Sequence, residues 1–522
     1  MRHIFEALGV VQQMSAKMLQ IHLHDPGATW LHNAGVVGLW MSLHQLQEKY
    51  SLKAQREGGL DWSLSSDSIC LKWNGADFEV FDWLLKQSFQ ISQEGFVELS
   101  GLKPHQMSIQ ARLAIHRGMI NTFLQHPTSV KSDGTDHIVV EIGDRPVKLF
   151  YKRVRSYAHQ NFAKQLCDDQ GNLRREGIGI VGWLYPGLAV RHYAYRHHTR
   201  FEESVERSFA LLFAPLSCFY FALPSQTKST RTPYALVVPE VENILDFTES
   251  CWQIKQKTSD FFLATCISDA GLKFLLQEAS TNLCTKFVVH RRCYVVLFRA
   301  TLWSPQQSSR AATSEIAVTQ ENLNTYQILQ KVLVDLKASN IRQTDTLLFA
   351  PVQVVISNNL VAGKPWWSNL FEQLQEKNVV AESLKYTDFF IEMADQTSYN
   401  IEAEKLFIKA CHEALRKTYA QVYDRAGENE IAQVDRKNQQ IISRLKQCHN
   451  ADRFRSFIAD FFAKAGIITV FEENQEELFP ITRGIADWRV SRDLFLLAMA
   501  SYPRKKSSDG GENSAASNSF RE

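Results

Sequence analysis

At 522 residues the chain is long enough for two to four domains, each with its own core. Hydrophobic content of 45% and charged content of 22% are ordinary for a soluble globular protein. The net charge of +2 conceals an asymmetry: residues 145–200 hold eleven Lys and Arg against three carboxylates, +8 locally, which leaves −6 for everything else. An acidic chain with one basic block is the profile of a polyanion binder.

The opening residues lack the apolar run and small-residue cleavage site of a signal peptide. Residues 1 to about 125 are expected to be mainly helical, with amphipathic segments through Met18 and Leu19 and from Trp30 to Leu46, and a small strand unit from Ile69 to Phe81. The strand pattern resumes from Ile138 to Tyr151. Phe209–Leu223, the longest near-apolar run, is shorter than a bilayer span and contains Pro215, so a buried core segment is expected, with no membrane span. β-branched and aromatic residues predict strands at Tyr234–Val241, Lys286–Arg299 and Thr346–Ile356. Helical spacing then takes over, at Leu406/Phe407, Ala410/Cys411, Ala414/Leu415 and Tyr419 and again from Phe454 to Ala465. A final helix from about Asp487 to Ser501 stops at Pro503. The fold class is therefore α+β: a mixed helical and strand body over 1–390, a helical bundle over 391–503, and a polar tail over 504–522 expected to be disordered.

Motifs that would carry chemistry fail on context. Gly177-Ile-Gly-Ile-Val-Gly182 matches the dinucleotide-binding pattern, but Pro186-Gly187 breaks the helix whose N-terminus would face a pyrophosphate. His24-Asp25 runs straight into Pro26-Gly27 and lacks companion metal ligands, and Cys411-His412-Glu413 has Arg416 where a zinc-protease helix needs its second His. The nine cysteines include no C-x-x-C pair; Cys284, His290 and Cys293 come closest to a metal cluster but lack a fourth ligand. No catalytic residue, metal or cofactor is expected, and the scattered thiols suit the cytoplasm.

The basic block is the stronger signal. Lys148-Leu-Phe-Tyr-Lys-Arg-Val-Arg-Ser-Tyr157 interleaves cations (Lys148, Lys152, Arg153, Arg155) with aromatic rings, as phosphate contact plus base stacking would require. Arg174 and Arg175 follow, and Arg191, His192, Arg196 and Arg200 repeat the mixture with Tyr193 and Tyr195. Each segment alone could equally be a solvated face whose rings turn inward; two in one region favour nucleic acid.

A set of blocks in consistent order resembles a known family. They are Trp30-Leu-His-Asn-Ala-Gly-Val-Val-Gly-Leu-Trp40, Gly182-Trp-Leu-Tyr-Pro-Gly-Leu-Ala-Val-Arg-His192 leading to Leu211–Pro215, Trp303–Arg310, Asn359–Trp367, and Asp487–Ala498. Together they resemble the large subunit of type I CRISPR effector (Cascade) complexes, the Cas-eight family in its Myxococcus-type form. The resemblance implies a non-enzymatic subunit that binds the crRNA 5′ handle and double-stranded target DNA and recognises the protospacer-adjacent motif. Its partners would be the backbone, handle-binding and small subunits, together with a helicase-nuclease or transposition proteins. It adds Arg310 and Lys364 to the basic set. It makes Asn33, Lys53 and Arg56, near the Gly58-Gly59 turn, candidates for motif contact, although a helix-end cap at Asn33 and solvated charges at Lys53 and Arg56 are the readings the sequence favours for each. It also likens the C-terminal bundle to the small subunit, which Met393 could start internally. A stand-alone nuclease with an unfamiliar site is the alternative.

Overall fold

The computed structural model describes residues 17–142, 145–186, 201–224, 232–257, 259–281, 290–299, 310–338, 343–370, 387–397, 402–426, 430–466, 468–483 and 487–503. The tail over 504–522 and the basic segment over 187–200 lie outside them. The chain forms two compact units, Met1–Asn324 with Leu360–Gly363, and Thr325–Asn359 with Lys364–Glu522. The shift to helical sequence near 390 falls inside the second unit.

The first unit opens with strand β1 (Lys17–His22), helix α1 (Trp30–Lys49), strands β2 (Asp61–Leu64) and β3 (Ser68–Trp73), and helix α2 (Asp77–Ser88). The strands form an antiparallel sheet in the order β1-β3-β2. Met18 and Leu19, expected in an amphipathic helix, lie in β1, where Leu19 and Ile21 are buried while Met18, Gln20 and His22 face outward. That is a two-residue period, too short to distinguish from a helical one by composition. Phe81, expected in the strand unit, belongs to α2. Asp77, 5% exposed, ties these elements together: it pairs with Lys17 at 2.6 Å and accepts from the Trp73 indole and the Leu173 amide. Burial acts to raise its pKa, but the Lys17 ammonium and these donors hold the carboxyl below its usual range.

Strands β4 (Phe89–Ile91) and β5 (Val97–Leu99) form a short hairpin, followed by helix α3 (Ile109–Asn121) and a long hairpin of β6 (Val130–Ile142) and β7 (Arg145–Tyr157). The single strand expected over Ile138–Tyr151 is thus two strands facing each other. Next come the short helix α4 (Ala163–Leu166), the strand pair β8 (Ile178–Gly179) and β9 (Glu202–Glu203), and helix α5 (Val205–Ser217). A four-stranded antiparallel sheet follows in the order β10 (Phe219–Ala222), β11 (Tyr234–Pro239), β12 (His290–Arg299) and β13 (Arg310–Thr319), with helices α6 (Ile244–Lys255) and α7 (Ile267–Thr281) between β11 and β12 in sequence. The strands expected at Tyr234–Val241 and Lys286–Arg299 correspond to β11 and β12, and the buried segment at Phe209–Leu223 spans α5 and β10.

Helix α1 is buried from Leu31 to Leu43 except at Asn33, with nearly apolar sequence around it, as a helix enclosed by the fold must have. It crosses α5 at two glycines: a Cβ at Gly35 would stand 2.2 Å from the Ala210 carbonyl oxygen, and one at Gly38 2.0 Å from that of Phe213. Only glycine permits this approach, and it brings Cα–H groups against carbonyl oxygens. Ser217 at the end of α5 donates to the Ala34 carbonyl in α1.

The second unit is helical: α8 (Gln320–Ala338) leads into it from the first unit, and α9 (Gln343–Val361), α10 (Thr387–Gln396), α11 (Glu402–Ala426), α12 (Glu430–Lys446), α13 (Ala451–Ala465), α14 (Thr469–Glu473), α15 (Gln475–Thr482) and α16 (Trp488–Ala500) follow. Thr346–Ile356, expected as a strand, lies in α9. Burial at Val352, Val355, Ile356, Asn359 and Leu360 follows helical spacing, and packing overrides the β-branched preference. Phe457 and Phe461 of α13 meet the ring of Phe495 edge-on at 5.3 and 5.1 Å. Met393 is fully buried within α10. Glu413 of α11 pairs with Lys417 at 3.0 Å and accepts from the Val470 amide at the start of α14. Burial pushes its carboxyl up, but the Lys417 ammonium and the Val470 and Thr469 amides outweigh that and draw it down to about 2.

Two outcomes follow. Gly38→Ala forces α1 and α5 apart and is expected to lower unfolding free energy by about 2–3 kcal/mol or more, whereas Gly182→Ala, where a Cβ meets open space, stays within about 0.5 kcal/mol. Urea titration of both variants checks this, and equal losses would contradict it. Because the Glu413 pKa is lowered in the folded chain, its contribution is complete above about pH 4.5 and is lost as pH falls toward 2. Glu413→Gln should therefore lower the melting temperature at neutral pH, and its deficit should shrink steadily as the medium is acidified; a deficit constant with pH would refute that assignment.

Candidate nucleic-acid interface

The β6–β7 hairpin holds the sequence-predicted cations Lys148, Lys152, Arg153 and Arg155. Residues directly opposite share a face. Thr135 faces Lys152, His137 faces Phe150, and Val139 faces Lys148; Asp136 faces Tyr151 and Ile138 faces Leu149 on the other side. That second side is the inward one: Tyr151, Ile138 and Leu149 pack on Phe96, Leu113 and Ile109. The Tyr151 hydroxyl donates to the Glu94 carbonyl, and Val154 donates its amide to Gly95. His116 of α3 bridges from below: its Nδ1 accepts from the Val97 amide at 3.0 Å, so Nε2 carries the proton and donates to the Lys152 carbonyl at 2.9 Å. Burial, with Arg117 adding to it, pushes this imidazole down to about 4, so it stays neutral and keeps that tautomer.

The outward side carries Thr135, His137, Val139, Lys148, Phe150 and Lys152 around its middle, and the pair Glu141 and Pro146 follows on the same side toward the hairpin's turn. Phe150 is 59% exposed and Val139 56%. The His137 and Phe150 rings lie 5.6 Å apart. Arg117 reaches the hairpin's edge and donates to the Phe150 carbonyl. Among the described residues Lys148 and Lys152 make no ion pair, whereas Arg153 pairs with Asp136 at 3.2 Å and also donates to the Gln93 carbonyl, and Arg155 lies 3.6 Å from Asp133. The four cations are therefore unequal: Lys148 and Lys152 are available to a ligand, Arg155 is exposed but near an acid, and Arg153 braces the hairpin.

The other predicted residues are dispersed. Arg174 and Arg175 are exposed on a separate loop, where Arg174 donates to the Cys167 carbonyl. Arg191, His192, Arg196 and Arg200 lie outside the described residues. Arg310 begins β13 opposite Arg299, and Lys364 is an exposed turn residue of the second unit. Of the motif candidates, Arg56 is 8% exposed: it stacks on Trp62 at 3.9 Å, donates to the Tyr50 carbonyl and pairs with Asp61. Asn33 is held by His24, accepting from its amide and meeting its ring nitrogen at 3.0 Å. Lys53 is exposed and pairs with Asp61 at 3.3 Å.

Motifs set aside on sequence grounds have structural roles. His24 has φ +61° in the turn before α1. His412 meets the Ala498 carbonyl and the Ser501 hydroxyl, joining α11 to α16. Among the described residues no group of three or more His, Cys, Asp or Glu side chains could hold a metal ion, and no helix is long and apolar enough to cross a membrane. Cys284 lies outside those residues. Sequence reasoning missed Arg117, His137 and Val139. The last two were reachable by pairing 130–142 against 145–157; Arg117, on a helix, carried no signal.

A family model described as the DevT N-terminal domain matches residues 20–212, and one described as the DevT C-terminal domain matches residues 396–521. The CRISPR-associated protein Cas8a1/Csx13 of Myxococcus xanthus (strain DK1622) is 26% identical over 531 residues, which cover 95% of this chain and 89% of the relative. The chain matches both DevT domains in order and is similar to the Cas8 family of CRISPR-associated proteins. Within this chain the described parts of the family-like blocks are packing elements; residues 187–192 and 303–309 of those blocks lie outside the described residues. Trp30–Trp40 is the buried α1, and Leu211–Pro215 lies in α5. Tyr185 of the Gly182–Pro186 turn donates its hydroxyl to Thr29, the residue that caps α1. In the second unit Asn359 donates to the Trp366 and Ser368 carbonyls, and Asp493 of the Asp487–Ala498 block accepts from the amide of Asn369, two residues beyond the Asn359–Trp367 block.

Proposed function

We propose that this chain is the large subunit of a type I CRISPR RNA-guided complex, and that it binds the crRNA 5′ handle and double-stranded target DNA without catalysing a reaction itself. One observation carries the nucleic-acid part of this reading: the outward side of the β6–β7 hairpin places Lys148 and Lys152 around an exposed ring, with no ion pair to either cation among the described residues. Sequence choice is delegated to RNA–DNA pairing, so the protein needs phosphate contacts and short-motif readout rather than a catalytic centre. Contact with the protospacer-adjacent motif falls to the surface around Lys53, whose turn Arg56 supports, while Asn33 holds the His24 turn at the opposite end of α1. Partners are the other Cascade subunits in the cytoplasm and a recruited helicase-nuclease or transposition proteins.

The test is the salt dependence of nucleic-acid binding by the assembled complex. Each phosphate contact contributes roughly 0.7–0.9 to the slope of log affinity against log salt. Replacing Lys148, Lys152 and Arg155 with alanine should weaken binding and make the slope shallower by about 2, with the fold intact because exposed charges contribute little to stability. An unchanged affinity and slope would count against the hairpin as the interface.

A further inference from the structure

We infer that the outward side of the β6–β7 hairpin is a stacking platform for unpaired bases, so that its ligand is a single strand rather than a duplex. The inference rests on the proposal that this hairpin meets nucleic acid, and narrows it.

Phe150 is an apolar ring 59% exposed at the middle of a strand whose opposite side is packed on the core, so the ring has no place to withdraw to. The His116 and Arg117 bonds to the Lys152 and Phe150 carbonyls fix the backbone at the ring's own residue and two residues beyond it. Lys148 and Lys152 project from the same side two residues before and after the ring, about 7 Å away along the strand in each direction. His137 and Val139, on the facing strand, widen the apolar surface; the His137 ring is tilted 40° to Phe150. At a centroid separation of 5.6 Å no base fits between the two rings, so a base must stack on their outer surface.

A duplex offers such a ring little. Its bases are already stacked, and a side chain gains contact only by wedging into a step at the cost of unstacking it. An unpaired base presents its π-face freely, while its flanking phosphates reach cations on either side. A protein partner would also cover an apolar patch, but two lysines beside the ring, without an ion pair among the described residues, favour a polyanion.

The test uses the full chain with fluorescent single-stranded DNA and RNA oligonucleotides and a duplex of the same sequence. Phe150→Leu keeps bulk and removes the ring; at an exposed position it leaves the fold intact, and circular dichroism checks this. It should weaken single-strand binding about tenfold, the effect of losing one stacked base, and leave duplex binding unchanged, with Phe150→Trp restoring affinity. The DNA and RNA arms show which strand the platform prefers. If Phe150→Leu has no effect while Lys148→Ala with Lys152→Ala weakens binding, stacking is overturned and the cationic interface stands. If neither changes binding, both readings fail. Equal loss for single strand and duplex, or no measurable single-strand binding by the parent chain, overturns the platform.

Discussion

The first unit depends on one contact, the crossing of α1 and α5 at Gly35 and Gly38. Backbone meets backbone there, with no side chain between them to adjust. From α5 the order propagates through rings: Phe209 meets Phe81 of α2 at 5.1 Å, and Phe213 meets Phe89 of β4 at 5.0 Å. Phe89 in turn contacts Tyr157 at the end of β7 and His159 just beyond it. His159 is fully buried, with Trp183 also against its ring, and burial pushes its pKa down to about 3, so it serves as a neutral filler. The base of the hairpin is thereby set by a helix crossing some distance away in sequence.

On this base the hairpin divides its two sides. The inner one is spent on Tyr151, Ile138 and Leu149 and on hydrogen bonds to the Gln93–Gly95 turn, which make it rigid. The outer one presents cations and a ring that the fold does not use. Side chains on a strand alternate by obligation, so the run Lys148-Leu-Phe-Tyr-Lys152 sends Lys148, Phe150 and Lys152 to one side and Leu149 and Tyr151 to the other. Phe150 and Tyr151 are neighbours in sequence with opposite fates.

This alternation also explains how far the sequence could be read. The basic stretch identified the right segment but not the right members: Arg153 and Arg56 look like ligand cations until their acids and carbonyls are found, and those partners sit 17 and 5 residues away or farther. Elements with a clear period, such as α11, α13 and α16, were legible, and so was the buried α5. Thr346–Ile356 was not, because its residue types favour a strand while their spacing is that of a helix. The blocks that resemble the Cas-eight family were informative about ancestry for a physical reason: where they are described they are glycine contacts, caps and buried aromatic turns, whose replacement costs packing. For the same reason they say little about ligands.

The central claim is that nucleic acid lies on the outer side of this hairpin within the assembled RNA-guided complex. Photo-crosslinking of that complex, followed by mass spectrometry of the crosslinked peptides, tests it most directly. The account predicts adducts on the β6–β7 hairpin, on Phe150 or its neighbours Lys148 and Lys152. Adducts confined to other regions, with the hairpin linked only to protein subunits, would contradict it.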